Sequence, residues 1–286
     1  MSQLAASTAL VTDSTANLPT SMIDFWGLRV VPVQVIIGDR AGEEGVDVTT
    51  ADVAAALRSG VPVSTSRPSP ARFAQVYADA AAAGAEHIVS AHLSADLSGT
   101  YDAALLAAAD SSVPVTVVDS RSVSMGLGYG VIAGARVLAR DATPAQAAEA
   151  IVATSAVSRV LFYVDSLEFL RRGGRIGAAQ RLVGSALAVK PILHLAKGRV
   201  QPLEKVRTAA RAMSRLEDLA VESAGDVPVG IAVMHLDAER RAADVADHLR
   251  ARLPDADVLQ GDVGAVIGSH VGPGMVAVIV SPVPEP

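Results

Sequence analysis

The segments His87-Ile88-Val89-Ser90-Ala91, Leu97-Ser98-Gly99-Thr100-Tyr101 and Val115-Thr116-Val117-Val118 carry the reading of the fold. Two runs rich in β-branched residues bracket an alanine-rich stretch from Gly99 to Ala109, and a polar, glycine-bearing turn leads into that stretch. Strand, loop, helix and second strand in that succession form the unit from which mostly parallel sheets are built. Upstream, Ala9–Thr12 reads as a strand ending in the loop Asp13-Ser14-Thr15-Ala16-Asn17, with Pro19 suited to open a helix. Leu28–Ile37 reads as a second strand and Thr50–Arg58 as a helix closed by Gly60. Ser69-Pro70 pairs an N-cap with proline at the first helical position, opening a helix through Ala83 that Gly84 ends. Downstream, Met125–Arg140 and Pro144–Thr154 are predicted helices.

The second half changes character. Arg159–Val164 is a predicted strand, Ser166–Leu170 a short helix, and Arg171-Arg172-Gly173-Gly174-Arg175 a glycine-bearing turn. Strands at Val189–Leu195 and Arg199–Val206 are joined by Lys197-Gly198. Helices at Ala209–Ser223 and Ala238–Leu253 alternate with strands at Val229–Met234 and Asp257–Gln260, and Met275–Val280 is the last strand. The chain of 286 residues exceeds what one hydrophobic core usually serves. The expected architecture is therefore two α/β domains. Residues 1–155 would form a mostly parallel sheet flanked by helices, and residues 156–286 an α/β domain with a mixed sheet.

Composition narrows the function classes. Half the residues are apolar and 19% are charged, which excludes a disordered chain. With aromatics at 3%, the core must be built from Ala, Val, Leu and Ile. A net charge of −6 argues against a nucleic-acid surface, which needs a basic stripe. The absence of cysteine removes disulfides, thiolate nucleophiles and cysteine-ligated metals. No run approaches the ~18 apolar residues of a membrane helix, and the first residues lack the basic and apolar regions of a secretory signal. The expectation is a cytoplasmic protein without a transmembrane segment.

Four segments carry the candidate chemistry. In Ser64-Thr65-Ser66-Arg67-Pro68-Ser69-Pro70, consecutive hydroxyls precede a helix N-terminus, an arrangement suited to an anion; simple capping by Ser69 is the ordinary alternative. Ser98-Gly99-Thr100 lies at the C-terminal end of a strand, where ligands of α/β sheets bind. Here too the alternative is a cap. His270 sits among Gly264, Gly268, Gly272 and Gly274, a glycine-rich wrap read as a loop that fixes the imidazole. Arg171, Arg172 and Arg175 surround Gly173-Gly174, a turn suited to bind phosphate or meet an acidic partner, and Arg207 is expected on the same surface. There is no P-loop signature, and Ser98 does not sit in Gly-x-Ser-x-Gly. Gly126-Leu127-Gly128-Tyr129-Gly130 places its third glycine too early for a dinucleotide loop, so those glycines serve close helix packing or leave room for a ligand.

Taken in order, Thr12-Asp13-Ser14-Thr15, Thr65-Ser66-Arg67-Pro68-Ser69-Pro70, Leu97-Ser98-Gly99-Thr100-Tyr101, Val118-Asp119-Ser120-Arg121, Leu170-Arg171-Arg172-Gly173-Gly174-Arg175-Ile176, Lys190-Pro191-Ile192, Lys205-Val206-Arg207-Thr208 and His270-Val271-Gly272-Pro273-Gly274 resemble the DegV family. Its characterised members are fatty-acid-binding subunits of the bacterial fatty acid kinase system. The resemblance implies a buried acyl chain with its carboxylate near the domain boundary. It also implies carboxylate contacts from Thr65, Ser66, Ser98, Gly99, Thr100 and His270. Arg172, Arg175 and Arg207 would face a partner kinase that uses ATP to form acyl-phosphate, a step in phospholipid metabolism. The chain itself would be no enzyme and need no cofactor or metal, its ligand being the fatty acid. Arg67 departs from a frequent Gln, Ala95 from a Ser and Val271 from a Thr, departures that could alter ligand choice. Burying a methylene yields roughly 0.8 kcal/mol, so a chain of about 14 gives a gross ~11 kcal/mol before the costs of immobilisation. Two readings compete with this one. One is an esterase or thioesterase using Ser98 and His270, for which no third group or oxyanion motif is identifiable. The other is a regulatory module for a small anion held at the arginine turn.

Overall fold

Alternating strands and helices extend over the residues the structure describes, 7–182 and 190–282, in a computed structural model. The chain opens with β1 (Thr8–Asp13), α1 (Thr20–Trp26), β2 (Arg29–Val31), β3 (Gln34–Ile37), β4 (Arg40–Glu43) and α2 (Thr50–Arg58). It continues with β5 (Val63–Ser66), α3 (Pro70–Ala82), β6 (His87–His92), α4 (Thr100–Ala108), β7 (Val115–Asp119), α5 (Met125–Leu138) and α6 (Pro144–Val157). Then come β8 (Arg159–Tyr163), α7 (Glu168–Arg172), β9 (Lys190–Ala196), β10 (Arg199–Val206) and α8 (Ala209–Ala224). The last elements are β11 (Val229–His235), α9 (Glu239–Arg252), β12 (Asp257–Asp262), α10 (Ala265–Val271) and β13 (Val276–Pro282). Local chemistry sets many boundaries. Ser69 caps α3 through Arg72 N at 3.2 Å with Pro70 in the first turn. Thr49 and Asp52 form a reciprocal capping box at α2.

The chain divides into two compact units, Met1–Gln34 with Ser66–Val157, and Val35–Thr65 with Ser158–Pro286. The first contains a four-stranded parallel sheet ordered β2-β1-β6-β7. Strand alternation covers both of its faces. Leu10, Val89 and Ala91 pack with α5 and α6, while Val11 and Ile88 pack with Phe73 and Tyr77 of α3 and with alanines of α4. The second unit holds a six-stranded mixed sheet ordered β10-β9-β8-β13-β11-β12, in which only the β11–β12 pair is parallel. Leu216 of α8 and Val245 and Leu249 of α9 cover Ile231, Val233 and Val278. A three-stranded sheet, β4-β3-β5, lies in the inserted stretch. Among the described residues, no helix is long and apolar enough to cross a membrane.

The α/β class is as the sequence pattern implies, and the element positions agree closely, but three expectations change. Leu28–Ile37 is not one strand: Pro32, which has no amide hydrogen, separates β2, paired with β1, from β3 in another sheet. Residues 35–65, expected in a first domain of 1–155, belong with the second unit, so the division is not a single cut near residue 155. The glycine-rich wrap around His270 is a helix, α10, because Gly264 and Gly272, at φ 81° and 78°, flank it and only Gly268 lies inside. Val189, at the start of one predicted strand, lies outside the described residues.

The glycines of α5 serve packing. A Cβ on Gly134 would stand 2.7 Å from Ile151 Cγ1, and one on Gly130 would overlap the Ser155 hydroxyl and lie 3.0 Å from the Ile151 carbonyl oxygen. Gly130→Ala should therefore destabilise the protein by about 1–3 kcal/mol, despite a gain in helix propensity. A lowered urea midpoint with an unchanged slope checks this; an unchanged or raised midpoint contradicts the packing account.

Candidate functional site

In the second unit, the inserted stretch brings a hydroxyl to an imidazole. Thr65, on β5, places Oγ1 2.8 Å from His270 Nε2. Two contacts hold α10 for this. The buried Glu44 carboxylate accepts the Val266 amide at 2.8 Å in the first turn of α10, where its charge complements the helix end. Gly268 lets the helix lie against Leu236, whose methyls would be 3.1 Å and 3.2 Å from a Cβ. Arg58 of α2 also pairs with Asp237, just beyond β11.

The arginine turn packs directly on the same ring. A Cβ on Gly173 would overlap His270 Nδ1, and one on Gly272 would overlap the Phe169 ring, so both positions must lack side chains. Arg175 donates from Nη1 to the Gly173 carbonyl at 2.5 Å. A cavity of about 350 Å³ opens here, lined by apolar Leu57, Val61 and Phe169 and by polar Thr65, Arg175 and His270. That volume is at the lower end of small-molecule pockets. Burial first, and the Arg175 charge second, push His270 down to about 4, so its imidazole is neutral near pH 7. Among the described residues, its Nδ1 meets no hydrogen-bond partner.

Ser66, Ser98, Gly99 and Thr100 fall in the first unit. Ser98 Oγ lies 2.9 Å from Thr100 Oγ1 and accepts the Thr100 amide at 3.3 Å. Gly99 begins α4 without a side-chain cap, and Arg67 occupies the space a Cβ would take there, with Nη1 at 2.6 Å. Of the partner-surface candidates, Arg172 and Arg207 are exposed, whereas Arg175 is half-buried beside His270. Arg172 is not a lone charge: its Nε and the Arg171 guanidinium both hold Glu168, whose carboxyl they pull down to about 2.

Sequence reading missed a second polar cluster. Tyr77 donates to Ser90 Oγ at 2.9 Å, Ser90 Oγ meets His92 Nε2 at 2.8 Å, and His92 Nδ1 meets Asp13 Oδ2 at 3.0 Å. Ser90 and His92 share one face of β6, and the β1–β6 register sets Thr12 opposite Ala91, bringing Asp13 beside His92. Two polar residues at alternate positions of an otherwise apolar strand were the available signal. The trio has hydrolase residue types, yet all three side chains are fully enclosed, so Ser90 Oγ cannot meet a substrate carbonyl. Among the described residues, no group of three or more His, Cys, Asp or Glu side chains is arranged to hold a metal.

The depressed His270 pKa makes a signed prediction. The unfolded imidazole takes up its proton near pH 6.5 and the folded one only near 4, so stability present above 6.5 should fall as pH drops through that window. His270→Asn should flatten this part of the curve. Urea midpoints measured from pH 7.5 to 4 in both proteins check it, and parallel curves would contradict the burial of a neutral imidazole.

The DegV family model, described as an uncharacterised protein family, matches residues 7–283. A DegV domain-containing protein of Streptomyces coelicolor is 52% identical over 274 residues, covering 96% of this chain and 98% of that protein. Protein DegV of Bacillus subtilis is 32% identical over 276 residues, covering 94% and 97%. Among solved structures, a fatty-acid-binding DegV family protein from Thermus thermophilus superposes with a TM-score of 0.91 at 32% identity, covering 97% of this chain and 100% of that one. DegV from Bacillus subtilis, also a fatty acid binding protein, gives 0.89 at 29% identity, with 97% and 99% covered. On a family match over nearly its whole length, the chain belongs to the DegV family.

Proposed function

We propose that this chain is a cytoplasmic lipid-binding protein that encloses a long-chain fatty acid and presents its carboxylate to a partner ATP-dependent fatty acid kinase. The observation that carries the reading is the Thr65–His270 pair in a cavity that is apolar on Leu57, Val61 and Phe169. In the Nε2–H tautomer of the neutral imidazole, Nε2 donates to Thr65 Oγ1 and leaves the threonine hydroxyl hydrogen free for a carboxylate. A desolvated carboxylate needs such donors. Relatives alike over nearly the whole chain bind fatty acids, which supports the ligand class. Ser66, Ser98, Gly99 and Thr100 remain in the proposal as further donors on the strength of their motifs. The chain contributes binding and orientation; phosphoryl transfer belongs to the partner.

Native mass spectrometry of protein purified from cells tests the ligand: a retained mass matching a fatty acid is expected, and a small anion or nothing overturns the reading. Thr65→Val and His270→Ala should each weaken fatty-acid retention with the fold intact. The cost of one lost charge-assisted hydrogen bond is about 1.5–3 kcal/mol, or roughly ten- to a hundredfold in affinity. Wild-type retention in the double variant removes the site.

The partner surface is proposed at Arg172, Arg175 and Arg207, steering an acidic face of the kinase. Arg175 also lines the cavity and holds the Gly173 carbonyl, so its reversal should disturb both docking and the pocket. Exposed Arg207 separates the two. Arg207→Glu should abolish acyl-phosphate formation in the reconstituted pair while leaving retention near wild type. Unchanged acyl-phosphate formation would mark it as an ordinary solvated charge.

A further inference from the structure

In the first unit a fully buried carboxylate gathers the ends of two adjacent strands. Asp13 Oδ1 accepts the Thr15 amide at 3.0 Å and the Thr15 hydroxyl at 2.5 Å. Its Oδ2 accepts the Leu93 amide and faces His92 Nδ1, both at 3.0 Å. The Asp13 oxygen beside Nδ1 suits the Nδ1–H tautomer of His92, in which Nε2 accepts from the Ser90 hydroxyl. Ser90 in turn accepts from Tyr77. In that arrangement each donor finds one acceptor. Asp13, Thr15, Ser90 and His92 are all without exposed surface, so no water competes for these bonds.

The hub reaches the Ser98 turn by a short path. Leu93, held by Asp13, precedes Ser94, whose amide donates to the Ser122 carbonyl at 2.8 Å. The Ser94 carbonyl then accepts the Leu97 and Ser98 amides at 2.9 Å and 3.2 Å. The Ser98 hydroxyl is therefore placed by a backbone whose origin is fixed by Asp13 Oδ2. We propose that Asp13, with its chain through His92 to Ser90, is a positioning residue for the Ser98 hydroxyl in fatty-acid binding. The inference rests on the reading of Ser98 as a carboxylate donor.

Double-variant cycles on the delipidated full-length chain, with palmitate as the probe, test it. Ser98→Ala should weaken palmitate by about tenfold. Asp13→Asn, which turns an acceptor into a donor toward Leu93 and His92, should cost a similar factor in the wild-type background and almost none in the Ser98→Ala background. With Thr65→Val, whose hydroxyl the hub does not hold, the two losses should multiply. A purely structural Asp13 would multiply with both. Ser90→Ala, which removes the hydroxyl shared by His92 Nε2 and Tyr77 and leaves the Asp13 carboxylate in place, gives the same cycle with a smaller factor and decides the matter if Asp13→Asn does not fold. No loss on Ser98→Ala overturns the carboxylate role of Ser98. A Ser98→Ala loss that multiplies with Asp13→Asn, or with Ser90→Ala where Asp13→Asn is unfolded, overturns the positioning proposal and leaves the donor role standing.

Discussion

The hydrogen bond between Thr65 and His270 joins residues 205 positions apart, and it ties the inserted stretch to α10 within the second unit. Residues 35–65 leave the first unit's strand order, build their own small sheet and helix, and are fastened at three points. Glu44 meets the start of α10, Arg58 meets Asp237, and Thr65 meets His270. Only the first of these buries its charge, and that carboxylate spends itself on a backbone donor at a helix N-terminus, where its desolvation is best repaid. The exposed Arg58–Asp237 pair adds orientation more than stability.

Much of the remaining geometry comes from places where a side chain is missing. Gly173 and Gly272 let the arginine turn and α10 meet at van der Waals distance, setting the Arg175 charge beside the His270 ring. Gly130 and Gly134 do the same for α5 and α6. In an interior packed as densely as a crystal, one methyl group at such a point displaces a ring or a carbonyl. The arginines and the imidazole are consequently not separable features: Arg175 braces the turn through the Gly173 carbonyl and helps keep His270 neutral.

The first unit solves a different problem with the same economy. A parallel sheet covered on both faces offers little water to a polar group, so a buried carboxylate there needs its partners inside. Asp13 does so with four donors, and the cost of burying its charge becomes a means of fixing two loops at once. Ser90 and His92, an interruption in an apolar strand when taken alone, extend that network into the core up to Tyr77.

By itself the sequence determined what depends on a few neighbouring residues. Strands and helices follow from β-branched and alanine-rich runs, α3 starts at Ser69-Pro70, and Lys197 and Gly198 adopt positive φ between β9 and β10. The candidates Thr65, Ser98 and His270 stand out from their immediate neighbours alone, the hydroxyls beside helix starts and the imidazole among glycines. Tertiary structure alone decided which of them meet. It gave residues 35–65 to the second unit, turned the glycine-rich wrap into α10, paired Thr65 with His270, and set Asp13 beside His92. The physical reason is that a backbone dihedral or a cap is fixed within one turn of chain. The partner of a buried carboxylate or imidazole is instead fixed by which distant segment must cover it to satisfy its hydrogen bonds.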